Sequence, residues 1–211
     1  MEQSNNKIQA IFPTAFLPPV QYFRLMAKHQ TIFIEKHETF PKQTIRNRYY
    51  IYTSNGMLLL SVPLKERKNN SQTKDIKISY DTNWIKTHLK TIESAYNNSP
   101  FYEFYSDKLI SIYSLKQPFL LDFNNTLVNW LTGILEIQVE IKHTDLFEKK
   151  YANETADYRN SFNPKDKTFF SLKNISDKNY KQVFDEKYDF IPNLSIIDLI
   201  FNVGPDAKKI I

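Results

Sequence analysis

Two arginines, Arg46 and Arg48, stand in the run Lys42-Gln43-Thr44-Ile45-Arg46-Asn47-Arg48-Tyr49-Tyr50-Ile51, and Lys65 closes the apolar run Leu58–Leu64 that follows. Such cations can hold a phosphate or carboxylate through charge-assisted hydrogen bonds, provided the fold brings them together. Asn55-Gly56 between two strand-like runs is a strong hairpin signal, because a type I′ turn needs positive φ at both central residues. With those two residues as the loop, Ile51 faces Leu60, Tyr49 faces Val62, Arg48 faces Pro63 and Arg46 faces Lys65. Opposed like charges destabilise a sheet by up to about 1 kcal/mol unless something negative lies between them. Alternation puts Tyr49, Ile51, Leu58, Leu60, Val62 and Leu64 on an apolar face, and Arg46, Arg48, Ser61 and Lys65 on the other. The second face reads either as a solvated edge guard or as an anion site.

Other residues fit around that face. His88 borders the stripe Ile85, Leu89, Ile92, Tyr96 and is a candidate general base; a hydrogen-bonded core histidine is the plain alternative. Glu35, Glu38, Lys42 and Gln43 stand on the loop between a strand and the hairpin, where a rigid scaffold can present functional groups, although an exposed polar turn would look the same. Asn47 shares the apolar face of Tyr49, so its amide needs partners and can serve to shape the loop. The histidines at 29, 37, 88 and 143 have no paired metal-ligand spacing, and no metal centre is expected.

These residues require a framework. Residues 8–12 read as a first strand stopped by Pro13, Val20–Lys28 as a helix opened by Pro18-Pro19, and Thr31–Glu35 as a second strand, a unit whose strands usually lie parallel. A polar loop over Lys65–Lys74 follows the hairpin and suits a mobile lid. Ile76–Tyr80 reads as a strand, and Asp81 as the cap of a helix over Trp84–Asn97. Further helices are expected over Phe101–Ser114, Leu121–Leu131 and Leu194–Val203, the last closed by Gly204-Pro205, with a late strand in Ile134–Ile141. His143–Lys178 reads as a long polar connection. The order predicts an α/β or α+β fold with a mixed sheet, an N-terminal strand–helix–strand unit, a β-hairpin and packed helices, in one domain over 1–211.

Composition narrows the chemistry. The 211 residues include no Cys, which excludes disulfides, thiolate metal ligands and thiol nucleophiles, and only 3 Gly, which excludes Gly-rich phosphate loops. A net charge of +5 permits an anionic partner, but the cations are scattered rather than striped, so nucleic acid is disfavoured against a phosphate-bearing small molecule. No signal-like start or spanning apolar run is visible, and a cytoplasmic protein without a membrane span is expected.

Several segments resemble the WbqC-like proteins: Ile11-Phe12-Pro13 through Phe16-Leu17-Pro18-Pro19 and Tyr22-Phe23; Lys42-Gln43-Thr44-Ile45-Arg46-Asn47-Arg48; and Asn55-Gly56 through Leu64. Trp84-Ile85-Lys86-Thr87-His88, Ser94-Ala95-Tyr96 and Tyr180-Lys181-Gln182-Val183-Phe184 leading to Asn193–Leu199 extend it over almost the whole chain. The resemblance implies a link to bacterial surface-polysaccharide modification and the addition of acyl or aminoacyl groups to sugars. It carries over Lys42, Gln43, Arg46, Asn47, Arg48 and His88. The expected function is therefore that of a transferase-like enzyme using an activated, phosphate-bearing sugar or acyl donor and no cofactor. Arg46, Arg48, Lys65 and Lys42 would clamp the phosphate, with Gln43 and Asn47 beside them, His88 as base and Glu35 or Glu38 orienting it. The alternative is a non-catalytic protein that binds an anionic ligand or partner at the same face; single-stranded nucleic acid, suggested by Tyr50 and Tyr52, ranks below both.

Overall fold

The computed structural model describes residues 9–151, 154–166, 168–170 and 180–211. Short apolar runs punctuated by proline become strand β1 (Gln9–Pro13) and, after helix α1 (Val20–Met26), strand β2 (Thr31–Glu35). The two pair in parallel, Ile11 beside Phe33 and Phe12 beside Ile34, as the strand–helix–strand pattern predicts. Ile8, expected in the first strand, lies outside the described residues. Strand β5 (Glu140–His143) adds in parallel to β2, and β6 (Thr155–Asp157) adds in parallel to β1, giving the sheet order β5-β2-β1-β6.

Strands β3 (Arg48–Thr53) and β4 (Gly56–Ser61) form a separate antiparallel hairpin. Its register corrects the sequence expectation: Tyr49 faces Leu60, Ile51 faces Leu58 and Arg48 faces Ser61. Only Gly56 takes a positive φ, of 94°, whereas a type I′ turn would demand one at Asn55 too. The two loop residues are thus Ser54 and Asn55, with Gly56 in the position that follows a type I turn. A slip of two keeps the two faces, and Tyr49, Ile51, Leu60 and Val62 are buried. It does not keep the opposed cations, because Arg46 precedes the strand and never faces Lys65.

Helices α2 (Trp84–Tyr96), α3 (Tyr102–Ser114) and α4 (Leu120–Ile134) follow, then short α5 (Asp185–Tyr188), α6 (Ile196–Val203) and α7 (Ala207–Ile210). In α2 the inward face is rotated from the expected stripe: Trp84, His88, Ile92 and Ala95 are buried with Tyr96, while Ile85 and Leu89 are half-buried. The cap is Asn83, without a side-chain hydrogen bond, and Asp81 accepts instead from Ser79 Oγ at 2.6 Å. The expected strand Ile76–Tyr80 keeps its alternation, Ile76 and Ile78 buried and Lys77 exposed, but makes only single bridges, Leu64 to Ile78 and Lys77 to Phe119. The late strand starts only at Glu140, because α4 runs through Ile134. The supposed connection after His143 contains β6, although residues 152–153, 167 and 171–178 of it lie outside the described set.

An ion-pair frame and a crevice at the carboxyl edge of the sheet

Because all four strands of the sheet run the same way, their C-terminal ends share one edge, the usual place for ligand crevices in parallel sheets. Thr14 follows β1, Glu35 ends β2 with Lys36 next, His143 ends β5 with Thr144 next, and Asp157 ends β6 two residues before Arg159.

Glu35 is fully buried, which its partners make tolerable. Its Oε1 accepts from the His37 amide at 2.7 Å and Thr144 Oγ1 at 3.0 Å; its Oε2 accepts from Tyr151 at 3.3 Å and lies 3.5 Å from Arg159 Nη1. Burial, followed by the Glu35 charge, pushes the Tyr151 phenol up to about 12. Arg159 also donates to Asp157, with Nη2 2.6 Å from Oδ2, and to the Glu148 carbonyl at 2.8 Å. Its guanidinium lies over the Tyr151 and Phe147 rings, at 4.9 and 5.2 Å. Burial works to raise the Asp157 carboxyl, but the hydrogen bonds from Arg159 outweigh it and hold the group below its ordinary value.

The second half of the frame comes from the loop before the hairpin. Arg46 pairs with Glu38 through two parallel bonds, Nε to Oε1 at 2.7 Å and Nη2 to Oε2 at 3.0 Å. Its Nη2 also donates to the Arg159 carbonyl at 3.3 Å, and Asn124 of α4 ties the Arg46 carbonyl to Thr14 Oγ1 at 2.9 Å each. The chain leaves β1 for β2 on one side and returns to β6 on the other, so the reversal of strand order falls between β1 and β6. There the protein's own guanidinium and amide groups fill the gap.

Among the described residues, open space lies on the β2–β5 side. A cavity of about 130 Å³ is lined by Thr14, Ala15, Tyr22 and Ile34 from the β1–β2 unit, Asn125, Val128 and Asn129 from α4, and Ile141 and His143 from β5. Beside it is a groove of about 370 Å³ bounded by Lys36, Lys74, Asp75 and the first turn of α4, with Asn125 and His143 common to both. Asn125 Nδ2 and His143 Nε2 are 3.0 Å apart. Burial and then the Lys36 charge lower the His143 pKa against the pull of Asp122, leaving a neutral imidazole able to accept a proton near neutral pH.

The structure separates the residues read from the sequence. Glu35, Glu38 and Arg46 join in the frame, each already paired, and buried Asn47 donates to the Val62 carbonyl at 2.9 Å, holding the loop to the hairpin. Lys42, Gln43 and Lys65 are exposed, with Gln43 at a φ of 60°, and Arg48 is half-buried with its Nε buried and unpartnered. His88 is 3% exposed, with Nδ1 3.2 Å from Tyr49 Oη and the ring against Trp84 at 5.0 Å. Burial drives its pKa down to about 4, a hydrogen bond with the Ser61 backbone opposing. His88 and Arg46 share no hydrogen-bond, ion-pair or ring partner among the described residues. The loop 65–74 is tied down at its end, Thr73 and Lys74 donating to the Glu38 and Lys36 carbonyls at 3.0 and 2.9 Å. Lys36, Thr144, Asp157, Arg159, Asn125 and Lys74 escaped the sequence reading. His143 was noted only for lacking a metal-ligand spacing; its place at the end of an alternating run was the available signal.

Fold and frame together define an α/β protein whose parallel sheet is locked at its carboxyl edge by buried ion pairs and opens beside them into a crevice. The chain belongs to the WbqC-like protein family, whose model matches residues 14–159 and 148–210. It is also 25% identical to a Mycobacterium tuberculosis (strain ATCC 25618 / H37Rv) protein named "Uncharacterized protein Rv1507c", over 94% of each chain. No solved structure matches it. Among the described residues no helix is long and apolar enough to cross a membrane, and no group of three or more His, Asp or Glu is placed to hold a metal ion.

Proposed function

We propose that the protein is a transferase-like enzyme acting on an activated, phosphate-bearing sugar or acyl or aminoacyl donor, in sugar or polysaccharide modification. One observation carries the reading: the Asn125–His143 pair forms a wall common to a small cavity and a more open groove flanked by Lys36 and Lys74. In this reading the two lysines hold the donor phosphate as point charges, and the cavity takes the group being moved. His143 accepts the proton of the attacking hydroxyl or amine, a role worth typically ~10²–10⁴-fold in rate. The frame of Glu35, Glu38, Arg46 and Arg159 keeps the strand ends in place, and Lys42, Arg48 and Lys65 supply the outer positive field.

Calorimetric titration with a nucleotide sugar and with an acyl-coenzyme A tests it. The double variant Lys36→Ala/Lys74→Ala should bind the true donor about tenfold or more weakly, since charge-assisted contacts are worth roughly 1.5–3 kcal/mol each. His143→Ala should bind it normally and lose turnover. Absence of binding by either donor class would sink the proposal. The exposed cations and the saturation of Glu35 favour a second reading, a non-catalytic protein that binds an anionic ligand. That version predicts ligand binding with no turnover in the wild type and no loss of biological role in His143→Ala.

A further inference from the structure

The two-stranded hairpin has one edge closed and one open. On β3 two outward groups are taken by neighbouring segments: the Tyr52 amide donates to Tyr96 Oη at 3.0 Å, and the Tyr50 carbonyl accepts from the Ser195 amide at 2.9 Å. In an antiparallel pair outward groups alternate along each strand, so those of β4 belong to Met57, Leu59 and Ser61, the residues facing Tyr52, Tyr50 and Arg48. Ser61 already bonds His88 through its backbone. No hydrogen bond reaches the outward groups of Met57 and Leu59 among the described residues.

The same stretch is apolar and uncovered: Met57 is 44% exposed, and Leu58 and Leu59 are 38% each. Natural edges are usually blunted by a charge, a proline or a bulge, and Gly56–Ser61 carries neither charge nor proline. A pocket of about 390 Å³ lies alongside, between Met57 and Leu58 on one wall and Lys90, Thr91 and Ser94 of α2 on the other. An open edge flanked by a pocket is the arrangement by which strands are added to sheets.

We infer that β4 is the interface of a two-fold homodimer, in which β4 of a second copy adds antiparallel and the hairpins merge into one four-stranded sheet. The second copy is the occupant because the edge is self-complementary: no like charges meet when the strand faces itself, and a two-fold interface needs one patch to match itself. The available backbone groups fix the register. Met57 pairs with Leu59 of the partner subunit, Leu59 with Met57 of the partner subunit, and each pair exchanges two hydrogen bonds. Leu58 then faces Leu58 of the partner subunit across the axis, on the α2 side of the sheet beside the pocket.

Sedimentation of the full chain over a concentration series should show a dimer. Leu58→Lys and Leu58→Glu should each sediment as monomers with unchanged circular dichroism, and an equimolar mixture of the two should return to the dimer. The chain contains no cysteine, so Leu58→Cys should form an intermolecular disulfide on mild oxidation, the facing positions being within bridging range, while Leu115→Cys on α3 should not. A wild type that stays monomeric throughout overturns the inference and leaves the edge to a strand from another protein. A dimer that survives both charged variants overturns it as well.

Discussion

At the scale of single residues, burial decides what each titratable group can do. Arg46 and Glu38, with side chains 4% and 12% exposed, pair bidentately within a desolvated frame. Removing one partner leaves the other charge uncompensated, so Arg46→Ala or Glu38→Ala should cost about 3–5 kcal/mol in urea denaturation, whereas the apolar double variant Arg46→Met/Glu38→Leu should cost less. His88 and Asp198 make a second prediction because their shifts have opposite signs. The folded pKa of His88 lies near 4 against 6.5, so the native state binds fewer protons than the unfolded one in that window and loses stability as pH falls through it. Asp198, fully buried, is raised by desolvation from 3.8 to about 6, against the donors Tyr180, Gln182 and Tyr96, so its contribution is present at low pH and lost as pH rises through 6. Each amounts to roughly 3 kcal/mol. Relative to the wild type, Asp198→Asn should therefore steepen the loss of stability on acidification from pH 6.5 to 4 and His88→Gln should relieve it; denaturation midpoints across that range check both. For the enzyme reading, the lowered His143 pKa predicts a rate that holds across neutral pH and falls only below the ordinary histidine range. Residue types alone flagged His88 and Arg46, but burial and pairing, which depend on distant segments, determine that both face inward partners.

At the scale of elements, local rules account for what was legible. Proline stops and apolar runs located β1, α1 and β2 because those signals act within a few residues. The α2 stripe was misjudged because apolar residues occupy two of its faces, and only packing against β3 and α3 selects Trp84, His88 and Ile92 for the interior. Strand β6, three residues long, is too short to display a period, and with it went Asp157 and Arg159. The close of α6 was legible and is sterically strict. Gly204 has a φ of 56°, and a Cβ there would stand 2.5 Å from the Phe101 ring. Gly204→Ala should cost about 1–3 kcal/mol through backbone strain and the forced displacement of that ring, read as a lower thermal midpoint. Gly56→Ala, with a φ of 94° but nothing within 4 Å, should cost less.

At the scale of the whole molecule, distant segments close the structure. Ser195 Oγ donates to the Leu17 carbonyl at 2.9 Å, its amide reaches Tyr50, and Val20 donates to the Leu194 carbonyl at 3.0 Å. The segment 193–196 thus joins the turn after β1 to the hairpin, and Ser195→Ala should weaken that junction by about 1 kcal/mol, measurable as faster exchange of the Leu17 and Val20 amides. The crevice escaped the sequence because its walls come from residues 14–36, 74–75, 119–129 and 141–143, which become neighbours only once the parallel sheet exists. The strand order has a further consequence, in time rather than space. Strand β1 is translated before the other strands of its sheet, and one of its two flanking strands does not exist until residue 157 has been made. At about 5–20 residues per second, the ribosome spends roughly 7–30 s with that apolar strand half-paired. Chaperones that shelter nascent chains are expected to find their binding segment at Gln9–Pro13, and slowing translation should lengthen their residence on it.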